Sequence, residues 1–128
     1  MLSKSKLAAL KPVKNTFTLI QIKKMIGKKL IVPWKGLNTP PQEVKDNAKK
    51  VKKKIIESLS QKGSKKIMLT TVCINGVLNI ISGMERSMAI SMISYKEISK
   101  HNMSDIRVVI VQYAKMSQAN IKNLILIH

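Results

Sequence analysis

KIMLTTVCINGVLNIISGMERSMAISMI, residues Lys66 to Ile93, is the stretch on which the fold turns. Two runs of β-branched and aliphatic residues flank Asn75-Gly76, the dipeptide that accepts the positive φ angles of a type I′ turn, so the stretch opens as a β-hairpin. Pairing across that turn sets Cys73 opposite Leu78 and Thr71 opposite Ile80 on one face, with Ile74 opposite Val77 and Val72 opposite Asn79 on the other. Both faces are largely apolar, which places the two strands inside a sheet rather than at its rim. The second strand ends at Ser82. Gly83-Met84-Glu85-Arg86-Ser87 then leads into a helix containing Met88, Ala89, Met92 and Ile93. A strand, a glycine turn and a helix start together aim free backbone N–H groups and the positive end of a helix at an anion.

Around this centre the composition sets limits. A chain of 128 residues, 45% hydrophobic but only 3% aromatic, builds one domain with an aliphatic core. Its formal net charge of +18 exceeds what solubility requires and points to a polyanionic partner, with nucleic acid first and DNA ahead of RNA. Arg86 and Arg107 are the only arginines. The charge is therefore mostly lysine, a hydrated point charge suited to phosphate backbone more than to bidentate reading of bases. Cys73 stands alone in a strand and reads as a small buried hydrophobe, so neither a disulfide framework nor a cysteine metal site is expected. No apolar run is long enough to span a bilayer. The expected setting is cytoplasmic, reducing and away from membrane.

Upstream, residues 1–15 are basic and free of acids, and read as a flexible arm preceding a domain over 16–128. Thr16 to Ile20 reads as a first strand, and Ile22 to Ile26 as a single helical turn stopped by Gly27. LIVPWKGLNTPP carries enough proline to read as an ordered loop. Trp34 within it either stacks on a base or packs the loop onto the core, and packing is the commoner role of a lone aromatic. Downstream of the hairpin, Tyr95 to Asp105 reads as a polar loop with His101 solvated. Neither His101 nor His128 has ligand or catalytic spacing, and no metal site is expected. Ile106 to Tyr113 reads as a buried strand, and Ser117 to His128 as a short terminal helix.

Between the loop and the hairpin lies the clearest helix, from Thr39 to a stop at Gly63. Val44, Ala48, Val51, Ile55 and Leu59 form its apolar stripe. Lys45, Lys49, Lys50, Lys52, Lys53 and Lys54 occupy the rest of the wheel, opposed by Glu43, Asp46 and Glu57. A lysine run is most often a solvated face. Here Lys49/Lys53 and Lys50/Lys54 repel at helical neighbour spacing, a small destabilisation that a bound polyanion removes.

The order of elements, with Glu57, Ser58 and Gly63 before the hairpin and Gly83, Arg86 and Ala89 after it, resembles the N-terminal domain of ParB-type partition proteins, a fold shared with sulfiredoxins. The resemblance covers roughly residues 16–124 and implies an α+β fold, a small mixed sheet with flanking helices. It also implies a mobile-element source and a pocket for the phosphates of a nucleoside triphosphate with Mg, CTP in ParB and ATP in sulfiredoxin. By position Gly83, Met84, Glu85, Arg86 and Ser87 would form the cradle, with Ser58 and Lys54 facing it. Two departures narrow the expectation. Met84 stands where sulfiredoxin has its reactive cysteine, which argues against reductase chemistry, and Glu85 precedes the single Arg86 where ParB presents two arginines. The chain ends before a helix-turn-helix, so nucleic-acid contact is expected from lysines.

The expectation is a nucleic-acid-binding module with a nucleotide pocket. Two alternatives stand beside it. One is a phosphoryl-transfer enzyme or nuclease on the same fold, for which Glu57 and Glu85 are the carboxylates to converge. The other is a structural RNA-binding protein of a ribonucleoprotein particle. No catalytic residue is assigned.

Overall fold

Asn75 and Gly76 both lie at positive φ, 52° and 77°, and close the expected hairpin. Its register is the expected one, Thr71↔Ile80, Val72↔Asn79, Cys73↔Leu78 and Ile74↔Val77, with an irregularity between Thr70 and Thr71. The computed structural model describes residues 10–37, 41–58 and 66–127. Its elements are β1 (Val13–Thr18), α1 (Leu19–Gly27), β2 (Ile31–Pro33), α2 (Pro41–Glu57), β3 (Lys66–Ile74), β4 (Val77–Ser82), α3 (Met84–Met92), α4 (Tyr95–Lys100), a 3₁₀ turn (Met103–Asp105), β5 (Arg107–Tyr113) and α5 (Gln118–Ile127). The fold is α+β: a five-stranded mixed sheet, order β1-β5-β3-β4-β2, with flanking helices. β3 and β4 are interior strands. β5 runs parallel to β3, β2 parallel to β4, and β1 closes the other edge antiparallel to β5.

Strand alternation divides the core in two. Ile67, Leu69, Ile80, Val108 and Ile110 face a cluster with Leu19, Ile22, Ile90, Ile98 and Met103, and the Ile55 and Ile56 side chains of α2 pack against it. On the other side Val72, Ile81, Val111 and Tyr113 meet Trp34 and the Ile121 and Leu124 side chains of α5. Trp34 is 3% exposed, so it is a packing anchor and not a surface on which a base stacks. Its indole lies over Gly36, where an added Cβ would run into the ring. Glycine is what lets the loop fold under its own tryptophan.

Several elements depart from the expectation. β1 starts at Val13, and Val13–Asn15 pair with residues 110–112, so the ordered sheet takes in the last residues of the supposed arm. α1 is a full helix rather than a single turn. Thr18 accepts from the Gln21 N–H at 3.2 Å, and the Gln21 side chain accepts from the Thr18 N–H at 2.8 Å, a reciprocal cap. β2 arises inside the proline-rich loop because it pairs with β4, a long-range contact that local composition does not announce. Residues 95–105 hold α4 and the 3₁₀ turn, started by a second reciprocal cap between Ser94 and Glu97. Residues 1–9, Asn38, Thr39, Pro40, Leu59, Gly63 and His128 lie outside the described residues. No described helix is long and apolar enough to cross a membrane.

Candidate phosphate cradle and lysine face

Gly83 sits at the N-cap of α3 with φ 93° and offers no side-chain cap. The first intrahelical bond runs from the Ser87 N–H to the Gly83 carbonyl, 3.0 Å, which leaves the N–H groups of Met84, Glu85 and Arg86 without intrahelical acceptors. A Cβ at Gly83 would lie 2.9 Å from Leu69 Cδ2 and 3.1 Å from the Met68 carbonyl oxygen. Glycine is thus required twice, for the left-handed backbone and for the close approach to β3. The helix start opens onto a cavity of about 210 Å³ lined by Leu37, Val44, Ile81, Ser82, Gly83, Met84, Glu85 and Arg86. A second hollow of about 340 Å³, with Trp34 and Met88 in its wall, shares Leu37, Val44 and Met84 with the first.

The charged residues of the cradle already have partners. Arg86 is exposed, and its Nη1 donates to the Met68 carbonyl at 2.6 Å. Glu85 accepts from the Asn47 amide of α2 at 3.2 Å. Asn47 is the residue that sequence reasoning missed. Nothing in its local pattern marks it, because the contact exists only once α2 crosses α3. Ser87 does not join the cradle: it is buried, its hydroxyl donates to the Met84 carbonyl at 2.8 Å, and it lines a different hollow with Ile26 and Ile80.

Lys54 and Ser58 do not face the cradle either. They line a separate hollow of about 170 Å³ with Val51, Ile55, Lys66, Ile67 and Ile106, and the Ser58 hydroxyl donates to the Ile55 carbonyl at 2.7 Å. Helix geometry gives the reason. The cradle meets α2 at Val44 and Asn47, and Ser58 lies eleven residues beyond Asn47, about 16 Å along the axis. By the same rise Glu57 stands about 15 Å from the Asn47 that holds Glu85, so the two carboxylates do not converge.

On α2 the structure separates lysines that the sequence runs together. Lys45, Lys49, Lys50, Lys53 and Lys54 are exposed. Lys52 is half-buried, and its Nζ sits 3.0 Å from Glu97 Oε1 and 3.4 Å from the Met92 carbonyl. Hydrogen bonding from the Ser94 backbone, then from Lys52, holds the Glu97 carboxyl below the ordinary range. Lys23 of α1 donates to the Ser91 carbonyl at 3.1 Å and lies 5.1 Å from the Tyr95 ring centroid, and burial lowers its pKa. Among the described residues no group of three or more His, Cys, Asp or Glu is placed to hold a metal ion.

Comparison of the chain with protein-family models, with curated proteins and with solved structures gives no match in any of the three. The resemblance to ParB domains therefore rests on residues and element order alone.

Proposed function

We propose that the protein is a nucleic-acid-binding module that lays the lysine ridge of α2 along a duplex phosphate backbone. The observation that carries this reading is the placement of Lys45, Lys49 and Lys53: all three are exposed and follow one another at four-residue spacing, about 6 Å of rise per step. The ridge belongs to a chain of net charge +18. Lysine in this arrangement neutralises phosphates in series without reading bases. With about five contacts, log affinity for duplex DNA falls against log salt with a slope of roughly −4 to −5. Changing Lys45, Lys49 and Lys53 together to Gln should reduce the slope by about 2 to 3 and weaken all sequences alike. An unchanged slope moves the contact to another surface.

The cradle supports a second element of the same reading, a phosphate-bearing ligand at the start of α3, as in the ParB-like resemblance. Its support is the uncapped helix start opening onto a cavity, with an arginine beside it. Glu85 in the same wall disfavours a bare triphosphate and favours one that carries Mg. A nucleotide titration with and without Mg tests this, and binding that ignores both Mg and Glu85→Gln removes that role of Glu85.

A further inference from the structure

The two outer strands of the sheet are finished differently. β2 is three residues long and closes in Pro33, which has no N–H to offer. β1 is six residues long, and among the described residues no strand lies outside it. Val13, Lys14, Asn15 and Thr16 are all exposed, Val13 at 60%. An open edge of this kind is a template for another strand.

Which main-chain groups of β1 face outward follows from the cap of α1. The Thr18 N–H donates to the Gln21 side chain at 2.8 Å, so it points away from β5. In an antiparallel ladder the N–H and C=O of one residue share a side, and that side alternates along the strand. Thr16 and Lys14 therefore present theirs to the open edge, while Asn15 and Phe17 turn theirs to β5. The outward run is bounded by Pro12, which lacks an N–H, and by Thr18, whose N–H is taken. Within β1 that leaves Lys14 and Thr16.

These two residues are complementary to a second copy of themselves. A two-fold axis perpendicular to the sheet at Asn15 sets Lys14 opposite Thr16 of the second copy, where the two exchange both N–H···O bonds, and symmetry repeats the pair. On the face that carries the main cluster, exposed Val13 comes to lie opposite half-buried Phe17. Lys14 is the only charged residue of β1, so in this register no like charge stands directly across. Moving the axis to Lys14 opposes the two lysines. Moving it to Thr16 sets Lys14 against Thr18, whose N–H is committed to its cap.

We propose that two copies of this chain pair antiparallel through β1 about Asn15, joining their sheets edge to edge. Each α2 packs on the same face of its sheet through Ile55 and Ile56, so the perpendicular axis leaves both helices on one side of the joined sheet. The pair thus offers two lysine ridges to one polyanion. The pairing goes beyond the reading of α2 and does not depend on it. The net charge of +18 on each chain opposes it, so pairing strengthens as salt rises, whereas phosphate binding weakens.

The test traps the pair as a disulfide in the full chain, with Cys73→Ala as the background. Residues at the axis form a non-hydrogen-bonded pair with Cα atoms about 4.5 Å apart, within reach of a disulfide. The two copies of Val13 lie about 14 Å apart in the same register, out of reach. In a thiol–disulfide buffer at high salt, Asn15→Cys should cross-link at least about tenfold faster than Val13→Cys. Adding Thr16→Lys to Asn15→Cys should slow the reaction by opposing Lys14, and adding Thr16→Glu should speed it. That order is the reverse of what the added charge does to the neighbouring thiol, since a lysine raises its thiolate fraction. Equal rates for the two cysteines overturn the pairing, as does cross-linking with Thr16→Lys that matches or exceeds that with Thr16→Glu. Neither result touches the α2 reading, which the salt slope of duplex binding decides.

Discussion

The two ends of α3 are finished in opposite ways. At its C-terminal end Lys23 and Lys52, from two other helices, donate to the carbonyls of Ser91 and Met92, and Glu97 balances Lys52. Cations at a helix C-terminus satisfy unpaired carbonyls and oppose the negative end of the macrodipole. At the N-terminal end Gly83 contributes no capping side chain, and the cavity begins where the helix does. Lysine is abundant enough to serve both roles in this chain. What separates a structural lysine from one available to a partner is whether a neighbouring helix brings carbonyls or a carboxylate within reach. Lys52 and Lys53 are adjacent in sequence, yet Lys52 is half-buried against Glu97 and Lys53 is exposed.

The strongest way to break the contrast is at Gly83. Gly83→Ala forces a left-handed backbone on a residue with a Cβ and drives that atom against Leu69 and the Met68 carbonyl. A loss of roughly 2–3 kcal/mol is expected, read as a lower midpoint in urea unfolding. A midpoint within error of wild type would mean that α3 starts elsewhere.

A smaller effect is expected at Arg86. Its bond to the Met68 carbonyl ties the Arg86 side chain to the fold. β4 pairs with β3 only as far as Thr70↔Ser82, so the Met68 carbonyl lies past the end of that ladder and takes its hydrogen bond from Arg86. Arg86→Ala should cost about 1 kcal/mol in unfolding, and Arg86→Lys should recover part of it. If the cradle also holds a phosphate, Arg86→Ala weakens binding of a nucleoside triphosphate about tenfold or more, a larger proportional effect than on stability. Loss of stability with unchanged binding would make Arg86 a strand cap and nothing else.

These positions show what was legible in the sequence. The hairpin, its register, the lysine helix and the Gly83 helix start are all readable, because each is carried by local chemistry: an Asn-Gly turn, an apolar stripe at helical spacing, a glycine before a helix. The reciprocal caps Thr18/Gln21 and Ser94/Glu97 were equally local and mark the starts of two helices that composition alone had dissolved into turns and loops. β2, the Asn47–Glu85 contact and the diversion of Ser58 and Lys54 to another hollow were not legible. Each depends on how distant elements cross, and a helix wheel records direction around the axis but not which neighbour waits there.

The smallest expected effect is at the finished end of α3, and it is read through pH. Glu97→Gln removes the charge that faces Lys52 while leaving an amide oxygen able to accept from the Ser94 N–H, so the cap of α4 survives. Because the folded Glu97 carboxyl is held below its unfolded value, its contribution is fully present above the unfolded pKa, about 4.3, and is lost as pH falls through the folded one. The stability difference between wild type and Glu97→Gln should therefore be constant above about pH 5 and shrink toward zero below it. Self-repulsion of the other charges grows in acid for both proteins and cancels closely in the difference. Chemical unfolding at a series of pH values measures it. A difference that stays flat through pH 3 would mean that Lys52 is held by the Met92 carbonyl alone, and that the end of α3 is closed by the backbone rather than by an ion pair.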